Sequence, residues 1–156
     1  MKSIVRLLSV GALVSASFLL GRITAPRDVA LAQERKPITM TRIYAGPDGE
    51  SHAEEVLMKL SDRGTSEFKA TAAQFSSRPA GPPNTNWHTG PRRQFVITLS
   101  GSAELEVSDG RKIHAGPGHI NLIEDTTGKG HLTRNVEDRV VVTLPLVDEP
   151  IAPPIR

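Results

Sequence analysis

Ser102-Ala103-Glu104-Leu105-Glu106-Val107-Ser108-Asp109-Gly110 is the stretch that decides the fold class. In an extended chain Ala103, Leu105 and Val107 share one face, and Ser102, Glu104 and Glu106 share the other. Strict alternation of this kind marks a half-buried strand. Asp109-Gly110 follows at once, a dipeptide suited to the positive φ angles of a tight hairpin turn, so the return strand begins at Arg111.

Working outward, the same short apolar runs recur, separated by Gly, Pro, Asn and Asp. The pattern predicts strands over Val56–Leu60, Phe68–Phe75, Gln94–Leu99, Ile120–Ile123, His131–Val136 and Arg139–Leu144. Ser76 to Asn86, rich in Ser, Pro and Gly, reads as an irregular loop. No segment has a convincing helical period, and turns recur at the spacing of a β-sandwich or barrel. The expectation is an all-β domain over residues 42–146, closed into a small barrel so that no strand edge is left exposed. Residues 33–41 read as a linker. Residues 147–156, with Pro150, Pro153 and Pro154, read as a Pro-rich tail that no interior strand accommodates.

The N-terminus reads differently. Lys2 and Arg6 precede a charge-free run from Leu7 to Leu20, and Ala30-Leu31-Ala32 offers a small-x-small cleavage site before Gln33. Residues 1–32 therefore read as a signal peptide, and the protein as periplasmic or secreted. The charged stretch from Gly21 to Val29 keeps an alternative open, an uncleaved segment anchoring the protein to the membrane. The 14-residue apolar run falls short of the roughly 20 residues that span a bilayer comfortably.

Removing this segment changes the charge. It carries four of the chain's 19 basic residues and one of its 17 acidic residues. The remainder, 15 basic against 16 acidic, has no basic footprint for nucleic acid. The chain has no cysteine, so any metal site must use His, carboxylate, amide or water.

Around Trp87-His88-Thr89-Gly90-Pro91-Arg92-Arg93-Gln94, with Gly101 beyond, the chain resembles the cupin family. That family's first motif is Gly, five residues, His-x-His, three or four residues, Glu, six residues, Gly. His88 falls on its first histidine, Gly90 on the second and Gln94 on the glutamate. The second motif is Gly, five residues, Pro-x-Gly, two residues, His, three residues, Asn. Gly118 opens it, Glu124 stands at the proline, the loop from Asp125 to Gly130 is longer, and His131 and Asn135 match. The resemblance spans residues 43 to 146. It implies a double-stranded β-helix, or jelly roll, with a divalent metal (Fe, Mn, Ni, Cu or Zn) in the barrel, and often a homodimer.

Gln94, Val96 and Thr98 share one strand face, as do His131 and Thr133. If these faces point inward, His88, Gln94 and His131 converge as metal ligands, with His52 as a possible addition and Glu124 or Asp125 as a catalytic or assisting carboxylate. Trp87, Arg93 and Thr98 would line the substrate pocket. An Arg of the Arg92-Arg93 pair suits an anionic substrate, or simply a solvated surface. His114 and His119, flanking a Gly-Pro-Gly turn, are expected to face solvent.

Two functions stay open on this reading. One is an exported metal-dependent enzyme acting on a small organic molecule by dioxygenase, lyase or isomerase chemistry. The other is a metal-free pocket that binds a small ligand without catalysis.

Overall fold

The computed structural model describes residues 36–82 and 85–147. The signal segment read over residues 1–32 and most of the Pro-rich tail lie outside the described residues. Those described form an all-β fold of nine strands: β1 (Thr39–Ala45), β2 (Ser51–Leu57), β3 (Gln74–Arg78), β4 (Gln94–Ser100), β5 (Ala103–Glu106), β6 (Lys112–Ala115), β7 (Ile120–Glu124), β8 (Leu132–Asn135) and β9 (Arg139–Pro145). Six of them make one sheet in the order β2-β1-β7-β4-β9-β3, and three make the other in the order β6-β5-β8.

The quoted stretch forms the β5–β6 hairpin. Ala103 pairs with Ala115 and Leu105 with Ile113, and Gly110 takes the left-handed turn position at φ 83°. Alternation then builds the core. Leu105, Ala103, Ile113 and Ala115 on the small sheet meet Ile43, Val96, Ile123 and Val141 on the large one, all buried. Each large aliphatic side chain sealed there contributes about 1.5–3 kcal/mol.

The opposite face of the large sheet is covered as well. Met40, Val56, Phe95, Leu122 and Leu146 pack there with Met58 and Phe68. Phe68 meets Phe95 edge to face, ring centroids 4.8 Å apart. Met58 and Phe68 thus cover this face of the sheet. This corrects the strand expected over Phe68–Phe75, because Phe68 is held by its packing and not by a ladder. The strand begins only at Gln74 and continues through Ser76–Arg78, into the stretch read as a loop. Likewise the first ladder runs from Thr39 and its partner from Ser51, where the sequence placed a linker and a strand starting at Val56.

The expected closed barrel is also corrected, since neither sheet closes on itself. The segment after β3 runs beside β8 without forming a ladder. Among the described residues it makes separate contacts there, Gly81 N–H to Asn135 O at 3.1 Å, Asn135 Nδ2 to Pro79 O at 3.2 Å and a bridge at His88 and His131. Pro79 and Pro82 in this segment have no N–H to donate, which removes the ladder bonds those positions would make.

Candidate functional site

The bridge between His88 and His131 builds the site. His88 donates to His131 O at 3.1 Å and His131 to His88 O at 2.9 Å, an antiparallel hydrogen-bonded pair. Residues directly opposite in such a pair project to the same face. The two imidazoles accordingly lie with centroids 4.8 Å apart and planes inclined at 52°. His131 is buried and His88 exposed, so the pair runs from the interior to the surface.

Asp125 fixes the inner ring. Its Oδ2 lies 2.7 Å from His131 Nδ1, with Asp125 wholly buried and His131 at 5% exposure. A carboxylate accepts only, so the proton sits on Nδ1 and, in neutral His131, Nε2 carries the free lone pair. His88 is set the same way, its Nδ1 lying 3.2 Å from Asn86 O. Asp125 Oδ1 has no hydrogen-bond partner among the described residues.

The remaining sequence candidates divide between two faces of the large sheet. Gln94 pairs in register with Ile123, which belongs to the inter-sheet core, and so projects toward the interior, as Thr98 does. Gly90 donates to Asp125 O at 3.1 Å; a side chain there would emerge 2.5 Å from Ile123 Cγ2 and 3.6 Å from Asp125 Oδ1. Ile123 thus takes the space that a second histidine would need.

Glu124 lies one residue from Asp125 and so faces the opposite way. It accepts from Arg93 Nε at 2.6 Å and from Arg42 Nε at 2.5 Å, while Arg42 Nη1 reaches Glu54 at 2.8 Å. Burial works against the Arg42 charge, yet its bonds to Glu124 and Glu54 prevail and raise its pKa. Arg93 and Glu124 are therefore joined to each other and not brought to the imidazoles. His52 lies on β2, with Nε2 3.1 Å from Asp48 and its ring beside Tyr44, also away from the pair.

Trp87 is half-buried, with Lys129 Nζ 4.3 Å from its ring centroid. Lys129 also donates from its backbone to Gly49 O at 3.0 Å and from Nζ to Glu50 at 3.1 Å. The loop from Asp125 to Gly130 is thereby tied to the β1–β2 turn, which holds its two ends, Asp125 and His131, in place.

His114 is exposed as expected, but His119 is not. Its Nε2 lies 3.2 Å from both Thr41 Oγ1 and Asn121 Oδ1, and burial pushes its pKa below the usual 6.5. Nothing in the Gly-Pro-Gly turn signalled this; the polar residues Thr41 and Asn121 on facing strand positions did. Because the folded pKa is depressed, the unfolded chain binds the extra proton first. Stability from this group is expected to be constant above about pH 6.5 and to fall as pH drops through the folded value. Urea midpoints at pH 7.5 and 5.5 check this, and the decline should shrink in His119→Gln.

No protein-family model matches the chain, and no curated protein matches it. What fold and site define is a class: an all-β protein of two facing sheets with a buried carboxylate–imidazole pair leading to a second, exposed imidazole. Among the described residues no helix is long and apolar enough to cross a membrane.

Proposed function

We propose that the chain is an exported protein of cupin type, with a jelly-roll arrangement of its two sheets, that holds a divalent metal at His88 and His131 and acts on a small organic molecule. The observation that supports this is the orientation of the imidazoles. Each has Nδ1 committed to an oxygen acceptor, Asp125 for His131 and Asn86 O for His88. A carboxylate on the far nitrogen is the usual support of a metal-ligating histidine, fixing its tautomer and raising its basicity.

Ring centroids 4.8 Å apart bring the two imidazoles side by side, and His88 and His131 would hold the ion. Gln94, projecting to the same interior, adds a neutral amide oxygen. A bound metal would supply Lewis-acid or oxygen-binding chemistry, consistent with a lyase, isomerase or dioxygenase. For their part, Asp125 and His131 keep the inner ligand dry and oriented, and Trp87 forms a wall on the flank of the loop.

The metal-free reading stands beside it as the alternative. Among the described residues no group of three or more His, Asp or Glu side chains is placed to hold an ion. Equilibrium dialysis of the full chain against Zn²⁺, Mn²⁺, Ni²⁺ or Fe²⁺, followed by elemental analysis, separates the two. One equivalent of metal is expected, lost in His131→Ala and weakened about 10–100-fold in Asp125→Asn. A chain that takes up no metal under any of these conditions but binds a small ligand leaves only the metal-free function.

A further inference from the structure

The inter-sheet interior carries a group of buried polar side-chain atoms without hydrogen-bond partners among the described residues. Arg139 is 2% exposed, Thr98 and Asn121 are fully buried and Thr143 is 5% exposed. Arg139 Nε and Nη1, Thr98 Oγ1, Thr143 Oγ1 and Asn121 Nδ2 all lack a hydrogen-bond partner among the described residues. Buried polar groups are nearly always paired, so several unpaired on neighbouring strands call for a cause.

Register places them together. Thr98 on β4 pairs with Val141 on β9, and Val96 pairs with both Thr143 and Asn121. Val141 belongs to the inter-sheet core, so Arg139 and Thr143, two residues to either side, share its inward face about 6.6 Å away along the strand. Thr98 stands opposite Val141, between them.

We propose that this interior patch binds a small organic carboxylate, with the Arg139 guanidinium as counter-charge and the Thr98 and Thr143 hydroxyls as further donors. The inference rests on the reading that the interior takes a small molecule, and it names the class of that molecule. It does not depend on the metal.

Charge decides in favour of an anion over water. Burial pulls the Arg139 pKa down to about 10, and the nearby Arg78 acts in the same direction. Arg139 thus stays cationic at neutral pH, and no carboxylate of the described residues pairs with it. Water would satisfy the hydrogen bonds but leave the buried charge uncompensated, a cost of several kcal/mol by general experience. A carboxylate supplies two acceptors in the geometry that a guanidinium fork matches, together with the missing charge.

The test titrates the full-length protein with acetate, using acetamide as the neutral counterpart of the same shape, and follows the Arg Nε–H resonances by NMR. Acetate is expected to bind saturably and shift one buried Nε–H; acetamide is not. Arg139→Met should weaken acetate at least about tenfold, and Thr98→Val, nearly isosteric and expected to keep the fold, about fivefold. No saturable response to acetate up to about 100 mM, or acetate binding unchanged in Thr98→Val and in a folded Arg139→Met, overturns the proposal. Metal content measured on the same samples reports on His88 and His131 separately, so loss of either reading leaves the other standing.

Discussion

Gly130→Ala is expected to remove about 3–5 kcal/mol of stability, a large part of what a domain of this size has to lose. Gly130 sits at φ 75°, where a side chain is strained in any surroundings. Its surroundings add more. A Cβ there would stand 2.1 Å from His88 O, 2.2 Å from His88 C and 2.6 Å from Thr89 N. All three are backbone atoms and cannot swing aside. Relief requires breaking the His88–His131 bridge, which separates the two imidazoles as well. Gly110→Ala is the control: φ is 83°, but nothing lies within 4 Å of the new Cβ, so only the conformational cost of about 1–2 kcal/mol remains. Urea unfolding of both variants gives the comparison. Equal losses would mean that the backbone of His88 does not press on Gly130.

How much of this was legible in the sequence depends on the kind of signal. The β5–β6 hairpin was, since period-two alternation and Asp109-Gly110 are local and act without help from the rest of the chain. β4, β7 and β9 were legible within a residue or two for the same reason. β1 was not, because Thr39 to Ala45 mixes Thr, Arg and Tyr among its apolar residues; it is a strand because both its faces find partners, Ile43 inward and Met40 outward. Phe68 was read as a strand residue because an aromatic in an apolar run looks the same whether it joins a ladder or covers one.

The site divides along the same line. His88 and His131 stood out by type and spacing as residues to watch. What joins them is not local: the bridge pairs residues 43 positions apart, and Asp125 meets His131 across a six-residue loop. Glu124 and Asp125 looked interchangeable as carboxylates in the chain. One step of strand parity sends the first to Arg42 and Arg93 and the second to the imidazole. Arg139 gave the faintest signal of all. Its inward direction follows from parity with Val141, yet a charged strand residue ordinarily turns outward to solvent.

Asp125→Ala is the second change with a large expected effect, about 3–5 kcal/mol. The substitution strips His131 Nδ1–H of its acceptor inside the protein and leaves space where a fully buried side chain had been. Asp125→Asn keeps both features and removes only the negative charge. Its amide oxygen still accepts from Nδ1 and its volume matches, so the cost should fall to about 1–2 kcal/mol. The NMR tautomer signature of His131 adds a second readout. The Nδ1–H form should persist in the Asn variant and give way to a mixture in the Ala variant, provided the latter remains folded at low temperature. Should both substitutions cost the same, neither the neutral hydrogen bond nor the filled space matters, and the loss common to both, the carboxylate charge beside His131, carries the whole effect. A marked gap together with a mixed tautomer in the Ala variant instead makes Asp125 the residue that sets which nitrogen of His131 is free, which is the property any use of that imidazole as a ligand requires.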